Sequence, residues 1–418
     1  MLAGHPAFWI LAAAVLAPLL AEIPVGFKVP VVVLEVVLGI VIGPHVLNLL
    51  RFEGFVDVMH TIGMAMTLFM AGMELDFGEI RGRPLFLAIG GWMVSVFLGL
   101  AVVGILHVIP QVHAPEMVTL AICTTGLGVL VPIFRDSGQL GTAFGRLFLA
   151  AGTLGEVGPI VAMALLLSRQ YSTWQESGFL LVFLAIVGVA IAVGVVARPP
   201  KVLAMLARHM HTSTQLPVRI SLLMLGAALL LAESFGFEIL LGALAAGMVL
   251  GVATRGEQGE PLREKMDAVC FGWFYPFFFV GTGIKFDIAA LGRDLTTMLL
   301  VPAFVVLFLL VRGVPVLLYR NQISAAQRLP FALSSAVPSL SIIVIITEIG
   351  VKLGSMNPDV AAALVGAALV SVLLFPTIAG ALLHRTAAQI QVETPATQSH
   401  AICVGPSPPR REDRYETE

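Results

Sequence analysis

The stretch Cys123-Thr124-Thr125-Gly126-Leu127-Gly128, with Pro132 close behind, interrupts an apolar run long enough to cross a bilayer. Gly and Pro are poor residues for a helix interior, and Pro also lacks the N–H that the next turn needs. In lipid every freed backbone group must find a protein partner, so such a break survives only where it is buried or lines a cavity. A second break of the same kind, Ser334-Ser335-Ala336-Val337-Pro338-Ser339-Leu340-Ser341, occurs late in the chain. Discontinuous helices in corresponding positions of two halves point to a midplane binding site. Cys123, Gly126, Ser335, Pro338 and Ser339 are the residues expected to line it. Small residues also let membrane helices approach closely, which is the purely structural alternative.

The rest of the chain fits a membrane setting. It has 418 residues, 58% hydrophobic and 12% charged, with mean hydropathy +0.96. Soluble chains carry roughly 25% charged residues. Runs of about 20 apolar residues suffice to span a hydrocarbon core. Such runs lie near 7–22, 28–48, 56–75, 85–109, 115–135, 143–168, 178–197, 216–234, 237–253, 267–284, 296–319, 329–350 and 358–384, thirteen in all. The expected fold is therefore an all-α polytopic membrane protein. Spans four to six and eleven to thirteen each contain one broken helix and would form two three-helix units of opposite topology, an inverted repeat.

Loop charge tests this layout. Eighteen Lys and Arg fall on one set of alternate loops plus the C-terminus and five on the other, leaving Arg312 alone inside a span. By the positive-inside rule the N-terminus is outside and the C-terminus cytoplasmic, in the inner (plasma) membrane. The first span, lacking a basic start and a cleavage site, reads as retained rather than as a signal peptide. The basic loop Arg198–Arg219 is expected to join two halves, and residues 386–418 to form a disordered cytoplasmic tail after a membrane domain over 1–385. No strand with GxGxxG follows, so no nucleotide-binding domain is expected. Net charge is -2, which suggests no nucleic-acid partner. Cys123, Cys270 and Cys403 have no spacing for a disulfide framework or a zinc site, so no cofactor and no metal beyond a transported cation are implied.

Two charged residues violate the apolar pattern most sharply. Glu156, in Gly155-Glu156-Val157-Gly158-Pro159, falls near the middle of span six. An unpaired carboxylate so deep is costly, and binding a proton or a cation removes the penalty. One acid with two mutually exclusive occupants is the chemistry of an exchanger; a permanent structural ion pair is the other reading. Arg312, in span eleven, is the obvious partner, as a releasable counter-ion of Glu156 or as a lock between units holding half-helix carbonyls. Glu35, two turns into span two, is a possible access-path acid or a helix contact. Glu74 and Asp76 end span three at the interface. His60, His107, Glu233, Glu238 and Glu348 lie near outer ends and need no special role. His209 and His211 fall in the basic loop, and Arg135 and Asp136 close span five.

Four stretches carry a family resemblance: VPVVVLEVVLGIVIGP (Val29–Pro44), LFMAGMELDFGEIR (Leu68–Arg81), GFEILLGALAAGMVLG (Gly236–Gly251) and FFFVGTGIKFD (Phe278–Asp287). With them the membrane region resembles the second family of monovalent cation:proton antiporters, within the sodium/proton exchanger superfamily. The resemblance implies a thirteen-helix fold, a dimerisation domain, a core of two inverted units with crossed discontinuous helices, and a homodimer. It also implies that the breaks surround the ion. Glu156 falls where the family carries its ion-binding Asp, Thr124 and Thr125 lie on the broken fifth span, and Arg312 stands where a basic residue sits in the core. Two departures stand out. Gly155-Glu156 replaces the usual Asn-Asp or Gln-Asp, and Val337–Ser341 carries no charge where relatives often have a charged pair. A single carboxylate exchanging one cation, Na⁺ or K⁺, for one proton moves no net charge, so exchange would be electroneutral. The alternative is a proton-coupled carrier of an organic anion or metabolite on the same fold, with Arg312 receiving the anion. An enzyme is not expected: neither HExxH nor GxSxG occurs.

Overall fold

The computed structural model describes residues 5–23, 29–74, 82–106, 115–127, 142–167, 214–234, 239–255, 259–288 and 295–393, with the single residues 130, 134 and 139. Every regular element among them is helical. The helices are α1 (Pro6–Ala21), α2 (Val31–Ile42), α3 (Phe55–Glu74), α4 (Arg83–Leu106), α5 (Pro115–Ile122), α6 (Ala143–Leu167), α7 (Leu216–Ser234) and α8 (Ile239–Ala253). They continue with α9 (Glu260–Val269), α10 (Tyr275–Lys285), α11 (Leu295–Gly313), α12 (Ala325–Ser335), α13 (Leu340–Lys352) and α14 (Pro358–Glu393). Seven continuous helical stretches are long and apolar enough to cross a membrane, and the bent pair α12–α13 makes an eighth among the described residues. α1, α2 and Leu241–Ala253 are apolar but shorter. The protein is a multi-pass helical membrane protein.

Every expected span contains helix except the seventh, near 178–197, which lies outside the described residues together with 198–213 and 394–418. Three elements differ from the sequence expectation. Span ten begins earlier, at Glu260, because α9 is amphipathic rather than apolar: Leu262 and Met266, four residues apart, are buried while Glu260 and Glu264 are exposed. A scan for apolar runs misses such a helix. One five-residue π turn, Cys270–Phe274, joins α9 to α10 without a break. Span eleven tightens into a 3-10 turn over Val314–Tyr319, where Pro315 has no N–H to give to the α ladder. The last helix also continues past residue 385, to Glu393.

The helices pack into two bundles. α4, α5, α6, α11, α12, α13 and α14 contact one another, bringing spans four to six together with eleven to thirteen. α1, α2, α3, α7, α8, α9 and α10 form the second bundle. The bundles meet where α6 touches α8 and where α13 touches α3.

The second bundle is closed by backbone, not by large side chains. A Cβ on Gly39 would strike the Val280 carbonyl and one on Gly283 the Val36 carbonyl, so α2 and α10 cross in direct backbone contact. Gly72 and Gly247 do the same for α3 and α8, against the carbonyls of Leu244 and Phe69. Water gives little drive for helix association in lipid, and close van der Waals fit replaces it. A Gly247→Val variant should therefore lower the melting temperature and the yield of folded protein, with overpacking costing about 1–3 kcal/mol. Gly104→Ala, where a Cβ meets nothing within 4 Å, should change neither. Thermal melts followed by size-exclusion chromatography in detergent check both.

Candidate functional site at the helix breaks

The two interrupted spans touch each other through their interruptions. α5 stops at Ile122, and helix resumes at Leu127. α12 stops at Ser335 because Val337 precedes Pro338, which pushes its backbone out of the helical region. α13 restarts from Ser339, whose backbone is extended (φ -78, ψ 103). Freed backbone groups of one break bond to the other. The Gly126 N–H donates to the Val337 carbonyl at 2.9 Å, and the Ser339 N–H to Thr124 Oγ1 at 3.3 Å. Thr125 Oγ1 donates to the Ser335 carbonyl at 2.7 Å, and the Thr125 N–H reaches the Gly155 carbonyl of α6 at 3.0 Å. Gly126 is required by space: a Cβ there would lie 2.8 Å from the Pro338 carbonyl oxygen. Cys123 is buried against α4 and would lie 3.5 Å from a Cβ on Gly99. Thr124, Thr125, Ser335 and Ser339 are all buried.

Arg312 is the hub of this crossing. It is 4% exposed and forms four hydrogen bonds. Nε and Nη2 donate to Thr125 Oγ1 at 2.9 and 2.7 Å, Nη2 to the Ala151 carbonyl at 3.1 Å, and Nη1 to Ser95 Oγ at 3.3 Å. One guanidinium thereby ties α11 to the first break, to α6 and to α4. The ion pair with Glu156 that the sequence suggested is not formed. Nor does Arg312 hold half-helix carbonyl ends, the other sequence reading: three of the four bonds go to the hydroxyls of Thr125 and Ser95, and the one carbonyl, that of Ala151, lies inside α6. Gly155 adjoins the same group: a Cβ there would lie 2.6 Å from Arg312 Nη2 and 2.7 Å from Thr125 Oγ1. A larger residue at 155 would require the guanidinium or the Thr125 side chain to shift.

Glu156 faces elsewhere. It is half-buried on α6, and its carboxylate accepts the Leu127 N–H at the start of the resumed helix. Glu74, at the end of α3, is the charged group that acts on it, and Tyr275 of α10 lies within reach of both acids. Glu74 was assigned to the interface from sequence alone; no spacing in the sequence brings α3 next to α6. Glu35 is buried on α2 in the second bundle, with no hydrogen bond or ion pair to a described residue. The hydroxyls of Ser334 and Ser335 are buried beside the breaks and likewise have no hydrogen-bond partner among the described residues. No group of three or more His, Cys, Asp or Glu among the described residues is placed to hold a metal ion. Cys123 and Cys270 are free thiols.

Residues 11–385 match the family described as sodium/hydrogen exchanger, transmembrane. The chain belongs to that family. YjbQ of Bacillus subtilis is 24% identical over 385 residues, 88% of this chain and 61% of that protein, so the chain spans about three-fifths of YjbQ's length. The Na(+)/H(+)-K(+) antiporter GerN of Bacillus cereus is 25% identical over 299 residues, 69% of this chain and 74% of GerN. Among solved structures, the sodium proton antiporter MjNhaP1 of Methanocaldococcus jannaschii superposes with a TM-score of 0.64. That match covers 91% of this chain and 98% of MjNhaP1 at 18% identity, a likeness of fold.

The steric coupling of Gly155 to Arg312 gives a double-mutant test. Gly155→Asn should displace the guanidinium and lower the melting temperature. Arg312→Ala should do the same by leaving acceptors unpaired, at about 1–3 kcal/mol for each buried group. The two together should destabilise by clearly less than their sum, because each removes the same contact. Additive melting-temperature losses would show that the residues act independently.

Proposed function

We propose that the protein exchanges a monovalent cation, Na⁺ or K⁺, for H⁺ across the membrane by alternating access. Glu156 is the carboxylate the two ions compete for. The observation that carries this reading is the position of Glu156: half-buried, without a basic partner among the described residues, accepting the backbone N–H that opens the second half of a broken span. Charge in such a place must be neutralised by a bound cation or a proton, and both at once are not required. Thr124 supports the site from the break, with its hydroxyl held between the Ala121 carbonyl and the Ser339 N–H. Thr125 has a supporting role only, because its hydroxyl already donates once and accepts two N–H groups of Arg312. The names of GerN and of MjNhaP1, to which this chain is similar, point the same way.

In this reading the bundle holding the breaks, two inverted three-helix units, moves against the second bundle, which serves as scaffold and dimer contact in a homodimer. The resemblance and the division into two bundles support that assignment. Loop charge favours a plasma-membrane protein with its N-terminus outside and C-terminus cytoplasmic. One carboxylate and one charge exchanged for one make the cycle electroneutral. An organic-anion carrier has less support, since four hydrogen bonds to protein groups already engage the Arg312 guanidinium.

In proteoliposomes with a preset pH gradient, addition of Na⁺ or K⁺ should dissipate the gradient and choline should not. Clamping the membrane potential at either sign should leave the rate unchanged. Glu156→Gln should fold, insert and lose exchange. Equal responses to every cation, or retained exchange in Glu156→Gln, would rule out this assignment.

A further inference from the structure

His60, Glu348 and Lys285 come from three separate helices and meet at the end of the molecule opposite Glu74. The sequence alone assigns His60 and Glu348 no special role. His60, on α3, is 2% exposed. Its Nδ1 lies 3.0 Å from the Phe278 carbonyl of α10 and its Nε2 lies 3.1 Å from Glu348 Oε1 of α13. Lys285 Nζ reaches the same carboxylate oxygen at 3.4 Å and sits 5.1 Å above the Phe52 ring. The imidazole is held by a stack on Phe278 and an edge contact to Phe52. Gly281 leaves room for it, since a Cβ there would lie 2.8 Å from Nδ1. His60 and Lys285 belong to the second bundle and Glu348 to the first, so these bonds cross the seam between bundles.

The hydrogen-bond pattern counts protons. A carbonyl oxygen only accepts, so Nδ1 must carry a hydrogen. An ionised carboxylate also only accepts, so Nε2 must carry one too unless Glu348 holds the proton and donates it. Either way the pair contains one proton more than a neutral imidazole and a carboxylate. Without it, the Nε2 lone pair would face a carboxylate oxygen at hydrogen-bond distance. Other charged or titratable groups on the elements packed at this end are His5 ahead of α1, and the His45–Asp287 pair where α2 and α10 finish, 3.7 Å apart. The remainder among the described residues are Arg51 and Glu53 before α3, Asp57 on α3, Glu116 in the first turn of α5, Lys352 at the end of α13 and Asp359 in the first turn of α14. No hydrogen bond or ion pair joins any of these to His60 or Glu348 among the described residues.

We propose that His60 and Glu348, with Lys285, form a second proton-binding site, distinct from Glu156, that latches the two bundles together. Its bound proton holds the seam shut at this end, and losing that proton releases the bundles there. The inference rests on the proposed exchange only for its consequence, that acid on the latch side slows transport. The latch itself is a property of the closed seam.

The test reads seam opening directly and exchange separately. In protein whose native cysteines are replaced by alanine, a cysteine at Val344, buried one turn from Glu348 on the same face of α13, reports the seam, and one at exposed Leu47, in the turn after α2, normalises for reagent chemistry. The ratio of their alkylation rates by a membrane-impermeant maleimide should rise with pH, by up to about tenfold per unit, the limit for one linked proton. In His60→Gln the Gln amide can donate to Glu348 at any pH, so the ratio should be flat. Glu348→Gln, whose amide can donate to a neutral His60, should also be flat, and it serves if the first variant folds poorly. A flat ratio with His60 and Glu348 both present, or an unchanged pH response in both variants, overturns the latch. Cation-driven proton flux is measured on the same liposomes. Absent flux with a pH-dependent ratio would remove the exchange reading and leave the latch; normal flux with a flat ratio would do the reverse.

Discussion

A guanidinium buried in a membrane protein must be solvated by protein, and Arg312 is solvated almost wholly by neutral oxygen. A bare charge at that depth costs about 2.5–3.5 kcal/mol on insertion scales, and more if nothing pairs with it. Here the charge faces Thr125 Oγ1, the Ala151 carbonyl and Ser95 Oγ. Each of those groups belongs to a different helix or break. The positive charge therefore works as a clamp on backbone that could not otherwise stay non-helical in lipid. Thr125 passes the constraint on, because the hydroxyl that accepts from Arg312 donates to the Ser335 carbonyl of the other break. Two irregular segments that would be unstable alone become a single bonded unit.

This arrangement divides labour between the two deep charges. A counter-ion pair between Arg312 and Glu156 would neutralise the acid and remove its reason to bind anything. Turning Arg312 to backbone and hydroxyl partners leaves Glu156 without that counter-ion, which is what the proposed exchange requires. Gly155 makes the separation possible, since any side chain there would occupy the guanidinium's place.

Much of this was legible in the sequence, and the illegible part has a consistent character. Helix breaks announce themselves by Gly, Thr, Ser and Pro inside apolar runs, and Glu156 and Arg312 by violating hydropathy. These signals are local. The amphipathic α9 escaped because an apolar-run scan is blind to a helix that keeps only Leu262 and Met266 inside. His60 and Glu348 escaped for a different reason. They are 288 residues apart, and each is an ordinary polar residue near a span end until the seam brings them together. The sequence also could not choose between the two readings of Arg312, because hydropathy locates a buried charge and says nothing of which way it points.

The π turn at Cys270–Phe274 has a consequence for this geometry. A π turn accommodates one residue more than an α turn, and each residue in a helix advances the azimuth by about 100°. Everything on α10 is therefore rotated relative to α9 by that one inserted position. Phe278, Gly281 and Lys285, which respectively accept from His60, leave room for it and reach Glu348, inherit their bearing from the insertion. Removing a single residue from the turn would swing this face away from α3 while leaving helix length and hydropathy almost untouched. The phase of one helix, set at its middle, aligns contacts at its far end.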